Sequence, residues 1–571
     1  MTDQHTGGDA VVDVLLEAGV EVVFGIPSVH NLPIYDSLRR RGGIRAITVR
    51  HEQGAAGAAD GYARATGKLG VFVTSTGPGA ANAMGGLLEG FVSGSPILHL
   101  TGQVETRFLD QKRGLLHEVP DQPAMLGSLS KTVRRAADPG DIARIVAGAV
   151  AEALAPPKGP VSVELPIDLQ YAAAEPLQPG EIARLLAPAR PPAPDAAKLQ
   201  SLLTLVGESR RPLVLAGGGV VSSGAESEVA ALCNLLGAGL ITSPNGRGVL
   251  DEADPLCLGN LSWDAGVRDL LGEADLLLAI GTRFQGPNTE NWKMPVPASV
   301  AIIDVEPGRP SRNYQPTVAV AGDAKEVVSA LLTALDGHLP GSAEGWRGAV
   351  ASARESARSR LRHVIGAQEG LLDELSGAAG PGTVIVKDAT IPAYTWGNRL
   401  LPVRRPRTSI MPNGFAIGLG LPHAVGAGAA CVAGDPGVSR PDSVVLMVGD
   451  GGVMLAVTEL ATLAAEQLPV LVLVFADGGY GILRNIQDKQ YGEVSGRIGV
   501  ELDRPDFVGL AKSLGVEAER VATTESFGKA VRAALATGRP YLVEVDLDAI
   551  GPMNRPYTGT SRPPQGVTKA G

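Results

Sequence analysis

The chain has 571 residues, 44% of them hydrophobic and 74 of them glycine, enough for about three domains of ordinary size. Its net charge of −10 is spread along the chain without a basic tract, which sets aside nucleic acid and anionic membrane as partners. Cys233, Cys257 and Cys431 form no close pair, and neither a secretory pattern nor a run of about 18 apolar residues is visible, so a disulfide framework and a membrane span are set aside and the cytoplasm is expected.

Three blocks follow in chain order. Residues 9–170 alternate helical and buried-strand patterns, and the first domain, 1–186, stops before the run Ala187-Pro188-Ala189-Arg190-Pro191-Pro192, which continues neither element. In it residues 44–49 read as a strand and 53–66 as an Ala- and Gly-rich helix, which puts Glu52 at a helix amino terminus. The second block, 195–335, has Gly217-Gly218-Gly219 after one strand and Asp304-Val305-Glu306 at the end of another, a pattern that suits a nucleotide. The third block, 345–550, alternates in the same way, and a polar, Pro-rich tail, 551–571, follows it. The predicted fold is α/β, with three doubly wound parallel-sheet domains.

The third block carries the most specific chemistry. Residues 444–448 read as a buried strand, 453–467 as a helix and 469–475 as a second buried strand, one βαβ unit. Its right-handed crossover sets the carboxyl ends of the two strands side by side, so Gly449-Asp450-Gly451-Gly452 and Ala476-Asp477-Gly478-Gly479-Tyr480-Gly481 meet. Two carboxylates beside glycine turns suit Mg2+, which takes few protein ligands and completes its shell with phosphate oxygens.

This segment resembles the metal-diphosphate motif of thiamine-diphosphate (ThDP) enzymes, with Ala476-Asp477 where Asn-Asn is usual. The string Arg50-His51-Glu52-Gln53-Gly54 is similar to the activating-glutamate segment of the acetohydroxyacid synthase and decarboxylase group; Phe24-Gly25-Ile26-Pro27 and Gly77-Pro78-Gly79-Ala80-Ala81-Asn82 match further motifs. The resemblance implies pyrimidine-binding, middle and diphosphate-binding domains, and a homodimer or homotetramer with sites between subunits. It implies Asp450, Asp477 and the Gly479 carbonyl as Mg2+ ligands, and Gly25, Ile26, Pro27, Gly77, Asn82, Gly451, Gly452, Tyr480 and Gly481 as cofactor-binding. Glu52 becomes the residue that activates the aminopyrimidine, Ile417 the bulky residue under the cofactor, and the middle domain a place where family members bind FAD or ADP, or a degenerate, empty site.

Reaction type rests on departures from the commoner patterns. Leu483 stands where simple 2-keto acid decarboxylases carry glutamate, and His117 where acetolactate synthases carry glutamine. The chain looks most like the 2-hydroxyacyl-CoA lyase branch, which implies cleavage of a substrate such as 2-hydroxyisobutyryl-CoA to a ketone and formyl-CoA. The alternatives are an acetolactate-synthase-like carboligase acting on pyruvate and a non-catalytic nucleotide-binding homologue. His117 and Glu493 are competing candidates for the base that takes the substrate hydroxyl proton. Arg404, Arg407, Arg555 and Tyr557 are candidate substrate contacts, and the tail is either a disordered end or a lid.

Overall fold

The computed structural model describes residues 4–191, 193–335, 341–433, 440–492 and 496–559. Apolar runs of Val, Leu and Ile, buried on both faces, form the central strands of three six-stranded sheets with parallel pairings, one for each predicted domain, and more exposed strands such as Arg45–Thr48 form edges. The first sheet contains β1 (Val22–Gly25), β2 (Arg45–Thr48), β3 (Gly70–Thr74), β4 (Ile97–Gln103), β5 (Val133–Arg135) and β6 (Pro160–Pro166), in the order β2-β1-β3-β4-β6-β5. The middle sheet contains β7 (Pro212–Ala216), β8 (Gly239–Thr242), β9 (Cys257–Gly259), β10 (Leu276–Ile280), β11 (Ser299–Asp304) and β12 (Val318–Ala321), in the order β12-β11-β10-β7-β8-β9. The third contains β13 (Thr383–Lys387), β14 (Ser409–Ile410), β15 (Ser443–Gly449), β16 (Val470–Ala476), β17 (Glu517–Val521) and β18 (Tyr541–Asp546), in the order β14-β13-β15-β16-β18-β17.

The first and third sheets therefore share one strand order and the middle sheet has another. In each, the order reverses at one point, and the crevice beyond the strand ends there is where ligands bind. In the first sheet that point lies between β1 and β3, in the middle one between β7 and β10, and in the third between β13 and β15.

The first and third domains pack through two helices, Glu52–Thr66 and Gly420–Val432, and one hydrophobic core runs through both domains. Small residues set that approach. A Cβ added at Gly426 would strike the Ala58 carbonyl, and one at Gly61 the His423 main chain. The middle domain is tied to the third through Arg247: its guanidinium, paired within the middle domain to Glu252 Oε2 at 2.6 Å, donates to the Gly397 and Leu401 carbonyls of the third. Among the described residues no helix is long and apolar enough to cross a membrane.

Candidate active site

Asp450 leaves the end of β15 as the first residue of the helix Asp450–Met454, and Asp477 follows β16 directly. The two strands are paired with Gly449 opposite Phe475, which brings both aspartates to the same sheet edge. The Asp450 carboxylate accepts main-chain N–H bonds from Gly478 at 2.7 Å and Gly479 at 3.1 Å, so it holds the turn that carries Asp477. Gly478 adopts φ +76°, and a Cβ on Gly451 would stand 2.5 Å from the Tyr480 ring.

Burial raises the Asp450 carboxyl pKa, and burial together with neighbouring Asp450 pushes Asp477 up to about 6. Arg484, with Nη1 3.7 Å from Asp477 Oδ2, pulls the other way. A buried carboxylate beside a partly buried one whose proton affinity it raises suits a divalent cation placed between them. Among the described residues no cluster of three or more His, Cys, Asp or Glu gathers, so a cation here draws further ligands from main-chain carbonyls and from phosphate oxygens.

Both aspartates open into a cavity of about 540 Å³, which Gly451, Gly452, Gly479, Tyr480 and Gly481 also line. Ile417 projects into it from a turn held by Asp388, a fully buried carboxylate at the end of β13 that accepts the Gly418 and Gly420 N–H groups. Sequence reasoning missed Asp388, although an acid ending a buried strand was its visible signal. It also missed the far wall: Trp263, Tyr394, Phe415 and Arg399, whose guanidinium lies 4.0 Å over the Trp263 ring. The tail reaches this wall. Tyr557 and Gly559 line the cavity, and the Tyr557 carbonyl accepts from Asn485 Nδ2 at 3.0 Å.

The second half of the chemistry lies elsewhere on the chain. Glu52 begins the helix Glu52–Thr66, and its Oε2 accepts from Asn82 Nδ2 at 3.0 Å. Gly25 ends β1 and Ile26 and Pro27 follow it, and Gly77, at φ +58°, follows β3 with its N–H donated to Gln122 Oε1 at 2.7 Å. His117 stands beside this group, its Nδ1 3.1 Å from Ser75 Oγ, and His30, which the sequence did not flag, meets the same hydroxyl at 3.3 Å. None of these residues lines the cavity that holds Asp450 and Asp477.

The remaining residues divide. Glu493 lies outside the described residues. Arg404 and Arg555 are exposed and do not line the cavity. Arg407 does not line it either; it lines a separate recess with Lys158 and donates to the Val221 carbonyl at 2.7 Å.

The chain matches three family models: the N-terminal TPP binding domain of thiamine pyrophosphate enzymes over residues 5–125, their central domain over 199–331, and their C-terminal TPP binding domain over 392–545. It is 32% identical to a probable 2-ketoarginine decarboxylase of Pseudomonas aeruginosa, over 95% of this chain and 94% of the relative. It is 30% identical to a probable acetolactate synthase large subunit of Methanocaldococcus jannaschii, over 95% and 92%. It is 31% identical to the chloroplastic acetolactate synthase 1 of Zea mays, over 95% and 86%. With two strand-end aspartates on one cavity and a helix-start glutamate on a separate face, the chain belongs to the thiamine-diphosphate enzyme family that includes the acetolactate synthases and their decarboxylase homologues.

Proposed function

We propose that this protein is a ThDP- and Mg2+-dependent carbon–carbon lyase that cleaves a 2-hydroxyacyl-CoA, such as 2-hydroxyisobutyryl-CoA, to a ketone and formyl-CoA. The observation that carries this reading is the substrate end of the cavity. Leu483 and Ile486 line it from the helix Gly481–Tyr491, aromatic side chains face them, and Tyr557 of the tail borders the same space. Such a surface favours a branched acyl group shielded from water, and it places no carboxyl group at Leu483 to serve decarboxylation.

Bound ThDP supplies the nucleophilic carbon and the electron sink. Asp450, Asp477 and the Gly479 carbonyl hold Mg2+; Gly451, Gly452, Tyr480 and Gly481 let main chain approach the diphosphate; Ile417 supports the ring system. Because Glu52 is absent from this cavity, the Glu52 of one copy serves the cavity of another, in a homodimer or homotetramer, with Gly25, Ile26, Pro27, Gly77 and Asn82 forming the bed for the pyrimidine. Glu52 would hydrogen-bond the aminopyrimidine ring of bound ThDP, and His117 or Glu493 accepts the proton of the substrate 2-hydroxyl. Three cysteines without a disulfide fit a cytoplasmic enzyme.

A second reading, a carboligase or decarboxylase of 2-oxo acids, draws on the names of the relatives. Purified protein with ThDP and Mg2+, offered 2-hydroxyisobutyryl-CoA or pyruvate, separates the two by mass spectrometry: formyl-CoA and acetone support the lyase, and acetolactate or acetaldehyde from pyruvate with an intact thioester contradicts it.

A further inference from the structure

The far wall of the active-site cavity holds polar atoms that nothing described in the fold satisfies. Arg399 Nε, Asn398 Oδ1 and Trp263 Nε1 are buried, and none has a hydrogen-bond partner among the described residues. All three side chains line the cavity into which Asp450 and Asp477 open. Asn398 and Arg399 directly follow Ala393–Gly397, a turn of π-helix after β13, a geometry that is rare and concentrates at functional sites. A polar atom buried without a partner costs free energy, so three on one wall point to a ligand that supplies the missing bonds.

The charge on this wall is also unanswered. Arg399 lies 4.0 Å over the Trp263 ring and 5.7 Å from the centre of the Tyr557 ring. Burial lowers its pKa, Tyr557 is the neighbour that pulls the other way, and among the described residues no carboxylate pairs with it. Arg247 shows how the same segment treats a structural arginine: its guanidinium pairs with Glu252 and donates to the carbonyls of Gly397 and Leu401, which bracket Arg399 in the chain. Among the described residues that line the cavity Arg399 is the one Lys or Arg, and Asp450 and Asp477 are the only acids. A single guanidinium beside an indole N–H, and beside a carboxamide whose oxygen and nitrogen exchange by a half-turn, matches a monoanion; a phosphate dianion would keep one charge unanswered. The aromatic rings around it exclude water, which strengthens such a pair.

We propose that Arg399, Trp263 and Asn398 form a carboxylate subsite, and that the substrates of this cavity include 2-hydroxyacyl thioesters whose acyl chain ends in a free carboxylate. The inference rests on the acyl-CoA reading above and names a substrate class for that site. With a 2-hydroxyglutaryl thioester the hydroxyl proton goes to the base, the C1–C2 bond breaks, C2 leaves as the aldehyde carbon of 4-oxobutanoate, and the electron pair left on C1 takes a proton to give formyl-CoA. The free carboxylate stays on Arg399 throughout, and no oxidant or reductant is consumed.

The test uses the full-length enzyme with ThDP and Mg2+, and compares kcat/KM for 2-hydroxyglutaryl-CoA, the thioester at C1, with that for 2-hydroxypentanoyl-CoA, the same chain without the carboxylate. The parent enzyme prefers the carboxylated thioester. In Arg399→Gln, whose folding is checked by melting temperature, the ratio of the two falls about 10- to 100-fold, the range expected for lost hydrogen bonds to a charged group. Trp263→Phe, which keeps a ring under Arg399 and removes the N–H, lowers it by a smaller factor. A parent enzyme without the preference, or an unchanged ratio in both variants, overturns the proposal. So does a loss in Arg399→Gln confined to the ratio of CoA to pantetheine thioesters, which gives the arginine to the carrier's phosphates, or a loss confined to calorimetric ThDP binding, which gives it to the cofactor. If neither thioester is cleaved, the lyase reading fails, and calorimetry decides the subsite alone: tighter binding of 2-hydroxyglutaryl-CoA than of 2-hydroxypentanoyl-CoA that Arg399→Gln abolishes upholds it, and equal or absent binding overturns it.

Discussion

His423 and Asp60 face each other across the seam between the first and third domains, with Nε2 2.9 Å from Oδ2 and both side chains fully buried. Burial alone would raise the Asp60 carboxyl pKa, but His423, Arg64 and Ser95 together hold it below the ordinary carboxylate range. The pair fixes the helix that begins with Glu52 against the domain that carries Asp450. Removing the imidazole takes one of Asp60's polar partners and leaves Arg64 and Ser95, so His423→Ala costs about 1–3 kcal/mol and lowers the melting temperature by several degrees. A melting temperature equal to that of the parent protein would show that the seam does not depend on the pair.

His99 makes acid stability a second measurable property. Its ring is fully buried, stacked on Phe72 at 4.3 Å between ring centroids and bonded to Thr74 and Ser162, and burial pushes its pKa down to about 3. A histidine with a folded-state pKa depressed below its unfolded value binds a proton more readily once unfolded. Its contribution is therefore constant above about pH 6.5, and between that pH and about 3 stability falls by roughly 1.4 kcal/mol per unit. Urea unfolding between pH 4.5 and 8 measures this slope, and His99→Gln flattens it; identical slopes in both proteins refute the assignment.

The glycine at 451 tests the fit of the cofactor turn. A Cβ there would stand 2.5 Å from the Tyr480 ring. Gly451→Ala therefore weakens Mg2+-dependent ThDP binding by at least about tenfold, equivalent to 1.4 kcal/mol. Calorimetric titration at saturating Mg2+ reads it directly, and parental affinity would mean that the turn does not border the diphosphate.

The choice between His117 and Glu493 is experimental. If Glu493 takes the hydroxyl proton, Glu493→Gln cuts kcat for lyase turnover by about 10² to 10⁴ with ThDP affinity unchanged. A fully active Glu493 variant beside a dead His117→Gln enzyme transfers the role to His117. Two active variants remove both.

The aspartates and their βαβ unit were legible because their signals are local: a buried apolar strand, a turn with glycine, and a repeat of both. The helix read from residues 453–467 is instead two, Asp450–Met454 and Glu459–Glu466, because the chain turns at Leu455–Thr458 and leaves Met454 and Leu455 exposed. After Asp477 a further helix runs from Gly481 to Tyr491. The aromatic wall was not legible. Trp263, Tyr394, Phe415 and Tyr557 come from four separate segments, and only folding brings them to one cavity. Arg407 was read as a candidate substrate contact from charge alone, which carries no information on which recess it lines.

The central claim, that Glu52 of one copy completes the cavity of Asp450 and Asp477 in another, is tested by subunit complementation. Glu52→Gln and Asp450→Ala enzymes, each inactive alone, are mixed under conditions that exchange subunits. If sites lie between copies, half of the dimers are mixed and each holds one intact site, so activity returns to about a quarter of the parental value. No recovery, with mixed dimers demonstrated by native mass spectrometry, would place both residues in one chain's site and contradict the account.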